Sequence, residues 1–402
     1  MSMQILRKDY ISFLEAGKDR NDVIKVITGM RRSGKTTLLE QYIGRLKELG
    51  VSDESIFLIN FEDIRYQHIT DSKILNGWIK ENIPESGQCY VFLDEIQNVT
   101  GWELSVSGLQ ILSNCDVYIT GSNSKMLSSE LATYISGRYV EIEVMPFSFA
   151  EYLEMHPSDD VEGRFRQFMM YGALPAIDPD YDRRFNEGLL EGVFNTVIVK
   201  DILSHMRTDD VSKLTAIARF LFSNIGNTTN MDIIAEASGV SNPTVSKYVD
   251  EMCKASLFHY AERYDIVGKK ILKTNGKYYA SDLGMRNAIL GMPSAGDISR
   301  PLENVVYLEL LRRGYEVRVG SFRDSEVDFT ARNTKGTEYF QVCQTMLAEE
   351  TYEREMRSFR QMRDNYPKTV LTLDRFGLGS DDGIRVVNVI DWLLGKDRSD
   401  GW

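Results

Sequence analysis

Val23-Ile24-Lys25-Val26-Ile27-Thr28-Gly29-Met30-Arg31-Arg32-Ser33-Gly34-Lys35-Thr36-Thr37-Leu38-Leu39-Glu40 decides the fold. Six residues rich in β-branched side chains lead into a loop with two glycines, Gly29 and Gly34, spaced for a phosphate-binding turn. Lys35 and Thr36 close the loop, and an apolar pattern with helical period follows. A strand, a glycine-bearing loop and a helix in this order make a cradle for phosphate. Glycines let the backbone curl so that several N–H groups point inward, and the positive end of the helix faces the same charge. In this reading Gly29, Arg32, Ser33, Gly34, Lys35, Thr36 and Thr37 bind ATP. Lys35 reaches the β- and γ-phosphates, and the Thr36 hydroxyl holds Mg²⁺.

Working outward, five strand-like runs precede residue 150: Val23–Thr28, Ser55–Phe61, Tyr90–Leu93, Asp116–Thr120 and Val140–Val144. Short apolar runs separated by helical patterns predict a parallel sheet covered on both faces, with ligands beyond the carboxyl ends of the strands. Val91-Phe92-Leu93-Asp94-Glu95 supplies the second half of the site. Asp94 is expected to hold Mg²⁺ through water, and Glu95 to orient and deprotonate the attacking water. The next strand ends Thr120-Gly121-Ser122-Asn123-Ser124. Asn123 is the first candidate to touch the γ-phosphate, with Ser122 or Thr120 second. Arg138, in Ser136-Gly137-Arg138-Tyr139, is the candidate for stabilising transition-state charge, in cis or from a neighbouring subunit. Arg31 and Arg32 are alternatives to it.

With these motifs in view, the chain resembles one AAA-type ATPase family of bacteria and archaea, whose C-terminal half is a domain of unknown function. The resemblance rests on Gly29–Thr36, Ile56–Asp63, Leu93–Gln97, Thr120–Ser124, Gly137–Tyr139 and Pro146–Tyr152. The family is similar to the archaeal ATPases and STAND-type NTPases. Membership implies a P-loop NTPase sheet of the ASCE type, in which one other strand separates the acidic strand from the loop strand. It implies no substrate.

Composition narrows the partners. With 47 basic and 59 acidic residues the formal charge is −12. Such a chain is no general polyanion binder, and any nucleic-acid contact must use a local basic patch. Four cysteines and four histidines are scattered. That argues against structural zinc and for a reducing compartment. Met1–Asp9 lacks a signal-peptide core, and no apolar stretch reaches the roughly 20 residues of a membrane span. The expectation is a cytoplasmic protein without membrane contact.

After the core (residues 1–150), residues 151–210 read as a helical lid broken at Tyr171-Gly172-Ala173-Leu174-Pro175. Residues 211–290 read as a winged helix-turn-helix. Its helices are Lys213–Asn224, Met231–Ala237 and Asn242–Ala255, with Asn242 as cap and Pro243 in the first turn. Phe258–Arg263 and Lys270–Ala280 would form the wing. Ser241, Asn242, Thr244, Ser246 and Lys247 on the third helix, and Lys269, Lys270, Lys273 and Lys277 on the wing, could face duplex DNA. Asp250 and Glu251 oppose that field, and packing against a protein partner is the other reading.

Residues 291–402 follow the element order of a restriction-endonuclease-like α/β domain, with Glu303, Glu326 and Asp328 as candidate acids. Active members of that fold carry an acid and a Lys one residue apart on the next strand. Here Gln341-Val342-Cys343 puts Gln in place of the acid and Cys in place of the Lys. The module is therefore read as nuclease-inactive. The function expected is Mg²⁺-dependent ATP hydrolysis used as a conformational switch, with a homo-oligomer and a protein client as partners. The rival readings are a nucleotide-gated DNA-binding regulator and a scaffold with slow or vestigial turnover.

Overall fold

The computed structural model describes residues 5–122, 137–206, 210–272, 276–291, 298–323 and 325–398. Asn123, Ser124, Ser136 and Lys273 lie outside these. The chain divides into two compact units: Met1–Pro146 with Lys254–Ser256, and Phe147–Cys253 with Leu257–Trp402.

The first unit is the predicted parallel sheet. Helix α1 (Lys8–Ala16) leads into β1 (Ile24–Thr28), and α2 (Lys35–Glu48) follows the glycine loop. Then come β2 (Ile56–Asn60), α3 (Ser72–Asn82), β3 (Cys89–Asp94), α4 (Trp102–Ile111), β4 (Cys115–Thr120) and β5 (Tyr139–Glu143). Strand order is β2-β3-β4-β1-β5 with every pair parallel. β4 thus separates the acidic strand β3 from the loop strand β1, as the family resemblance implied. All residues of β1, β3 and β4 are buried, which is why they read as continuous apolar runs rather than alternating ones. Alternate residues of β3 serve opposite faces. Tyr90 and Phe92 pack with Leu38, Leu39, Tyr42 and Leu46 of α2. Val91 and Leu93 pack with Leu75 of α3 and with Trp102 and Val106 of α4. At the amino edge of the sheet a buried pair, Lys25 and Asp116, ties β1 to β4, and the Tyr118 hydroxyl donates to Asp116 at 2.9 Å.

The second unit begins with α5 (Phe149–Met155), α6 (Val161–Tyr171) and α7 (Arg183–Thr196), continued by a π-helical turn at Val197–Ile202. α5 opens on a capping box between Ser148 and Glu151. α6 stops at Gly172, φ +76, where a Cβ would strike the Asp282 carboxylate at 2.3 Å. That is the break expected at Tyr171–Pro175. Next come α8 (Val211–Ser223), α9 (Met231–Ser238) and α10 (Asn242–Lys254), with Val245, Tyr248, Val249 and Met252 of α10 buried. α10 starts at Asn242 as expected, but its cap is a different residue. The Ser241 carbonyl accepts from Thr244 and Val245, so Ser241 takes the cap position, and the Asn242 side chain donates to Asp232.

The expected wing divides. β6 (Phe258–Ala261) pairs with β9 (Lys277–Ala280). The intervening β7 (Arg263–Asp265) and β8 (Lys270–Ile271) form a separate hairpin, turned where the Asp265 carboxylate accepts from the Val267 and Gly268 amides. After α11 (Leu283–Leu290) and α12 (Ser299–Arg312) come β10 (Glu316–Phe322), β11 (Ser325–Asn333), β12 (Gly336–Cys343), α13 (Glu349–Gln361), β13 (Lys368–Thr372), β14 (Gly379–Asp381), β15 (Ile384–Asn388) and α14 (Val389–Leu393). β7 joins β10 in parallel, so the sheet runs β14-β15-β13-β12-β11-β10-β7-β8. Pairing across more than fifty residues claims these strands, and no local pattern signals it.

Candidate functional site

The glycine loop sits at the carboxyl end of β1. Gly29 has φ +134, and a Cβ there would stand 2.3 Å from the Val144 carbonyl oxygen. Gly34, φ +101, is the residue from which α2 departs. Gly29→Ala is therefore expected to cost about 1–3 kcal/mol of stability from backbone strain and to weaken nucleotide binding. Urea denaturation and fluorescent-nucleotide titration check both; a variant that matches the parent in each would show the loop tolerates a side chain.

Within the loop Lys35 is buried, its ammonium donating to the Gly29 carbonyl at 3.0 Å and the Met30 carbonyl at 3.3 Å. It lies 3.8 Å from the Glu95 carboxylate. Thr36 and Thr37 open the first turn of α2. Arg32 is exposed in a left-handed conformation, and Arg31 pairs with Glu62 at 3.2 Å. The Ser33 hydroxyl is buried with no hydrogen-bond partner. An orphaned hydroxyl inside a loop of converging N–H groups is what a bound phosphate would satisfy.

Asp94 is the hub. Its carboxylate accepts from Thr120 at 2.6 Å, from Thr36 at 2.8 Å and from the Asn60 amide at 2.8 Å. Burial pushes this carboxyl up from the usual carboxylate range, against the pull of the Thr120 and Thr36 hydrogen bonds and of Lys35. Such a carboxylate is ready for a cation. Thr36 and Asp94, the two residues expected to hold Mg²⁺, stand side by side, and the donor set fits a Mg²⁺–triphosphate. Among the described residues no group of three or more His, Cys, Asp and Glu is placed to hold a metal alone. For a Mg²⁺ held there, phosphate and water oxygens would complete the shell.

Glu95 follows in a left-handed conformation, φ +58, its amide donating to the Thr120 hydroxyl at 2.9 Å. Its carboxylate accepts from the Gln97 amide at 2.5 Å. Thr120 thus fixes both acids and does so through the strand between them and the loop. Ser122 is buried beside it in sequence, and Asn123 lies outside the described residues.

Arg138 is not brought to this cluster. Its carbonyl accepts from the Ile24 amide at 3.0 Å, at the start of β1, while the glycine loop follows the end of that strand. Five residues at the ~3.3 Å rise of a strand separate them by roughly 16 Å. In a parallel sheet the residue before a strand and the loop after its neighbour lie at opposite edges. Arg138 is exposed there, and a role in cis is corrected by this geometry.

Sequence reasoning missed three residues. Asn60 ends β2 opposite Asp94 in register, a signal available once β2 and β3 are neighbours. Gln97 stands two residues after Glu95. Arg7 is buried and donates to the Met145 carbonyl at 3.0 Å and the Ser33 carbonyl at 3.4 Å, bracing the glycine loop from behind.

The second unit holds a different polar cluster. Lys277, expected on an exposed basic wing, is buried, its ammonium 3.0 Å from Glu303 and 2.7 Å from Glu326. The Tyr279 hydroxyl donates to Glu303 at 2.6 Å. Asp328 is buried and accepts from the Val342 amide at 2.8 Å, and Gln341 donates to Glu355 at 2.9 Å. Lys277 leaves the wing because all four residues of β9 are buried. Burial pushes the Cys343 thiol up to about 12, the behaviour of a core thiol. Among the described residues no helix is long and apolar enough to cross a membrane.

A family model described as "AAA domain" matches residues 21–153, and one described as "Domain of unknown function" matches residues 162–296. An uncharacterized protein of Haemophilus influenzae is 40% identical over 400 residues, covering 97% of this chain and 98% of that one. An uncharacterized protein of Methanocaldococcus jannaschii is 28% identical, covering 92% and 85%. Among solved structures, a STAND protein with a tetratricopeptide repeat sensor from Pyrococcus horikoshii matches with TM-score 0.29 and 12% identity, covering 78% of this chain and 46% of that one. C. elegans PCH-2 matches with TM-score 0.27 and 13% identity, covering 61% and 66%.

Proposed function

The chain belongs to the AAA-domain family it shares with the Haemophilus influenzae relative, and on that premise we propose that it hydrolyses ATP with Mg²⁺ and uses the cycle as a conformational switch. The observation that carries the reading is the Asp94 carboxylate, which gathers Thr36, Asn60 and Thr120 while Lys35 and Glu95 face each other across the loop. Lys35, Ser33 and the loop amides bind the phosphates. Mg²⁺, held by Thr36 and through water by Asp94, would neutralise charge on the transferring phosphoryl group. Glu95 takes the proton of the attacking water. On nucleotide binding Lys35 exchanges its loop carbonyls for phosphate oxygens, and that exchange is the local event a switch can amplify.

The switched parts would be the lid helices of residues 151–210, the helix-turn-helix segment of residues 211–290 and a C-terminal module of residues 291–402 without nuclease chemistry. α8, α9, α10 and the β6–β9 pair support the middle assignment. Loss of Lys277 from the surface removes charge that duplex DNA would need, which favours a protein-contact role for the segment. The complete set of loop lysine, acidic pair and polar strand ends argues against a vestigial site.

Arg138 would serve a neighbouring chain. ATP turnover per chain is therefore expected to rise with protein concentration, and Arg138→Ala to flatten that rise while leaving nucleotide affinity unchanged. Steady-state rates across a hundredfold range of concentration, with and without duplex DNA, test it. A rate per chain that is constant and unaffected by Arg138→Ala removes the oligomeric reading, and DNA stimulation would restore the DNA-binding one.

A further inference from the structure

Glu95 cannot act as a base unless its carboxylate is aimed, and the backbone alone does not aim it. The turn after β3 is a single 3₁₀ turn, Ile96–Asn98, closed by the Asn98 amide on the Glu95 carbonyl at 3.1 Å and anchored by buried Ile96. This turn projects Glu95 and Gln97 together. One carboxylate oxygen, Oε2, accepts from Gln97 Nε2 at 2.5 Å. The other, Oε1, lies toward the glycine loop, 3.8 Å from the Lys35 ammonium.

The Gln97 amide keeps this arrangement against its own interest. Its Oε1 is buried with no hydrogen-bond partner. Turning the amide over would bring that oxygen against the carboxylate, so electrostatics fixes the N–H on Glu95 and leaves the carbonyl unpaired. A buried unpaired carbonyl held for one charge-assisted hydrogen bond is the mark of a residue kept for orientation.

The geometry points to Gln97 as the positioning residue of the reaction: it occupies Oε2 of Glu95, so that Oε1, on the phosphate side, is the atom that receives the proton of water. This rests on the reading of Glu95 as the base. Among the described residues, two charged groups face the Glu95 carboxylate, Lys35 from the loop and Asp94 beside it in β3; Thr120 of β4 and Gln97 are neutral. When Lys35 moves to phosphate, Gln97 is the contact that remains to hold the carboxylate.

Gln97→Leu removes the amide at similar volume, and Gln97→Glu replaces it with a second carboxylate. For Gln97→Leu, kcat falls about tenfold from misaimed proton transfer, with KM and the affinity for a fluorescent ATP analogue unchanged. For Gln97→Glu, the new carboxylate repels Oε2 where the amide donated to it, and kcat falls likewise with nucleotide affinity unchanged. Thermal melting of both variants in the absence of nucleotide stays at the parental value. Gln97→Leu with parental kcat, or with a loss of nucleotide affinity that matches its loss of rate, overturns the assignment, as does Gln97→Glu with parental kcat. Glu95→Gln is measured alongside. Turnover in that variant at the parental rate sinks the base reading itself, whatever the Gln97 variants do.

Discussion

Lys35→Ala loses most of its nucleotide binding, and Glu95→Gln binds ATP but loses most of its turnover. The two substitutions lie 3.8 Å apart at the unmodified side chains yet remove different things. The Lys35 ammonium is a buried cation on which the triphosphate would converge, and it donates to the Gly29 and Met30 carbonyls at 3.0 and 3.3 Å. Without it the phosphates would enter a loop that has lost its buried cation. Loss of one charge-assisted contact of this kind costs about 2–4 kcal/mol, or 30- to 1,000-fold in affinity. Glu95 donates nothing to phosphate: its carboxylate faces the Lys35 ammonium at 3.8 Å and carries the same sign of charge as the ligand. Its amide form keeps the size and the backbone bond to Thr120 but accepts a proton poorly, so turnover falls by about 10²–10⁴ with binding intact. Fluorescent-nucleotide titration and single-turnover hydrolysis separate the two. If Lys35→Ala binds as the parent does, the loop is not the nucleotide site. If Glu95→Gln turns over, another group is the base.

How far such a site is legible in sequence depends on how local its determinants are. The glycine loop and strands β1, β3 and β4 were readable because each is encoded in consecutive residues: buried parallel strands are mostly apolar runs, and the loop needs glycines where φ is +134 and +101. Asn60 was not assigned, because its contact with Asp94 exists only after β2 and β3 pair in register. Arg138 was close to the site in motif order and far from it in space, since order along the chain does not tell the two edges of a sheet apart. The wing failed for the same reason at longer range. β7 and β8 carry nothing that distinguishes pairing with β10 from pairing with each other alone. Lys277 is the sharpest case. A lysine in an alternating, polar-flanked run reads as surface, and only the acids Glu303 and Glu326 of later elements make its burial affordable.

That burial sets a large effect on stability. Lys277→Met is expected to lower stability by about 3–5 kcal/mol at pH 7, because it leaves buried acids without their cation. Lys277 resists burial yet keeps its proton well above the usual lysine range, since Glu303, Asp328 and Glu326 together outweigh desolvation. Asp328 is pushed well above the usual carboxylate range by burial first and by Glu303 second, with Lys277 opposing. Removing the ammonium removes that opposition. The sign of the pH dependence follows. A carboxyl whose folded value lies above its unfolded one binds its proton more tightly in the native chain, so stability falls as pH rises from about 4, the unfolded value, through the raised folded value. In Lys277→Met that fall should be larger than in the parent, and the cost of the substitution should shrink toward pH 4, where the raised Asp328 carboxyl is neutral. Adding Glu303→Gln should recover part of the loss at pH 7, since it deletes an unpaired charge and leaves an amide that Tyr279 can still donate to. Urea denaturation of the parent, Lys277→Met and the double variant at pH 7 and pH 4.5 reads all three terms. A Lys277→Met cost below about 1 kcal/mol, the range of an exposed ion pair, or one that does not shrink at the lower pH, would mean that the acids are held by something other than this ammonium.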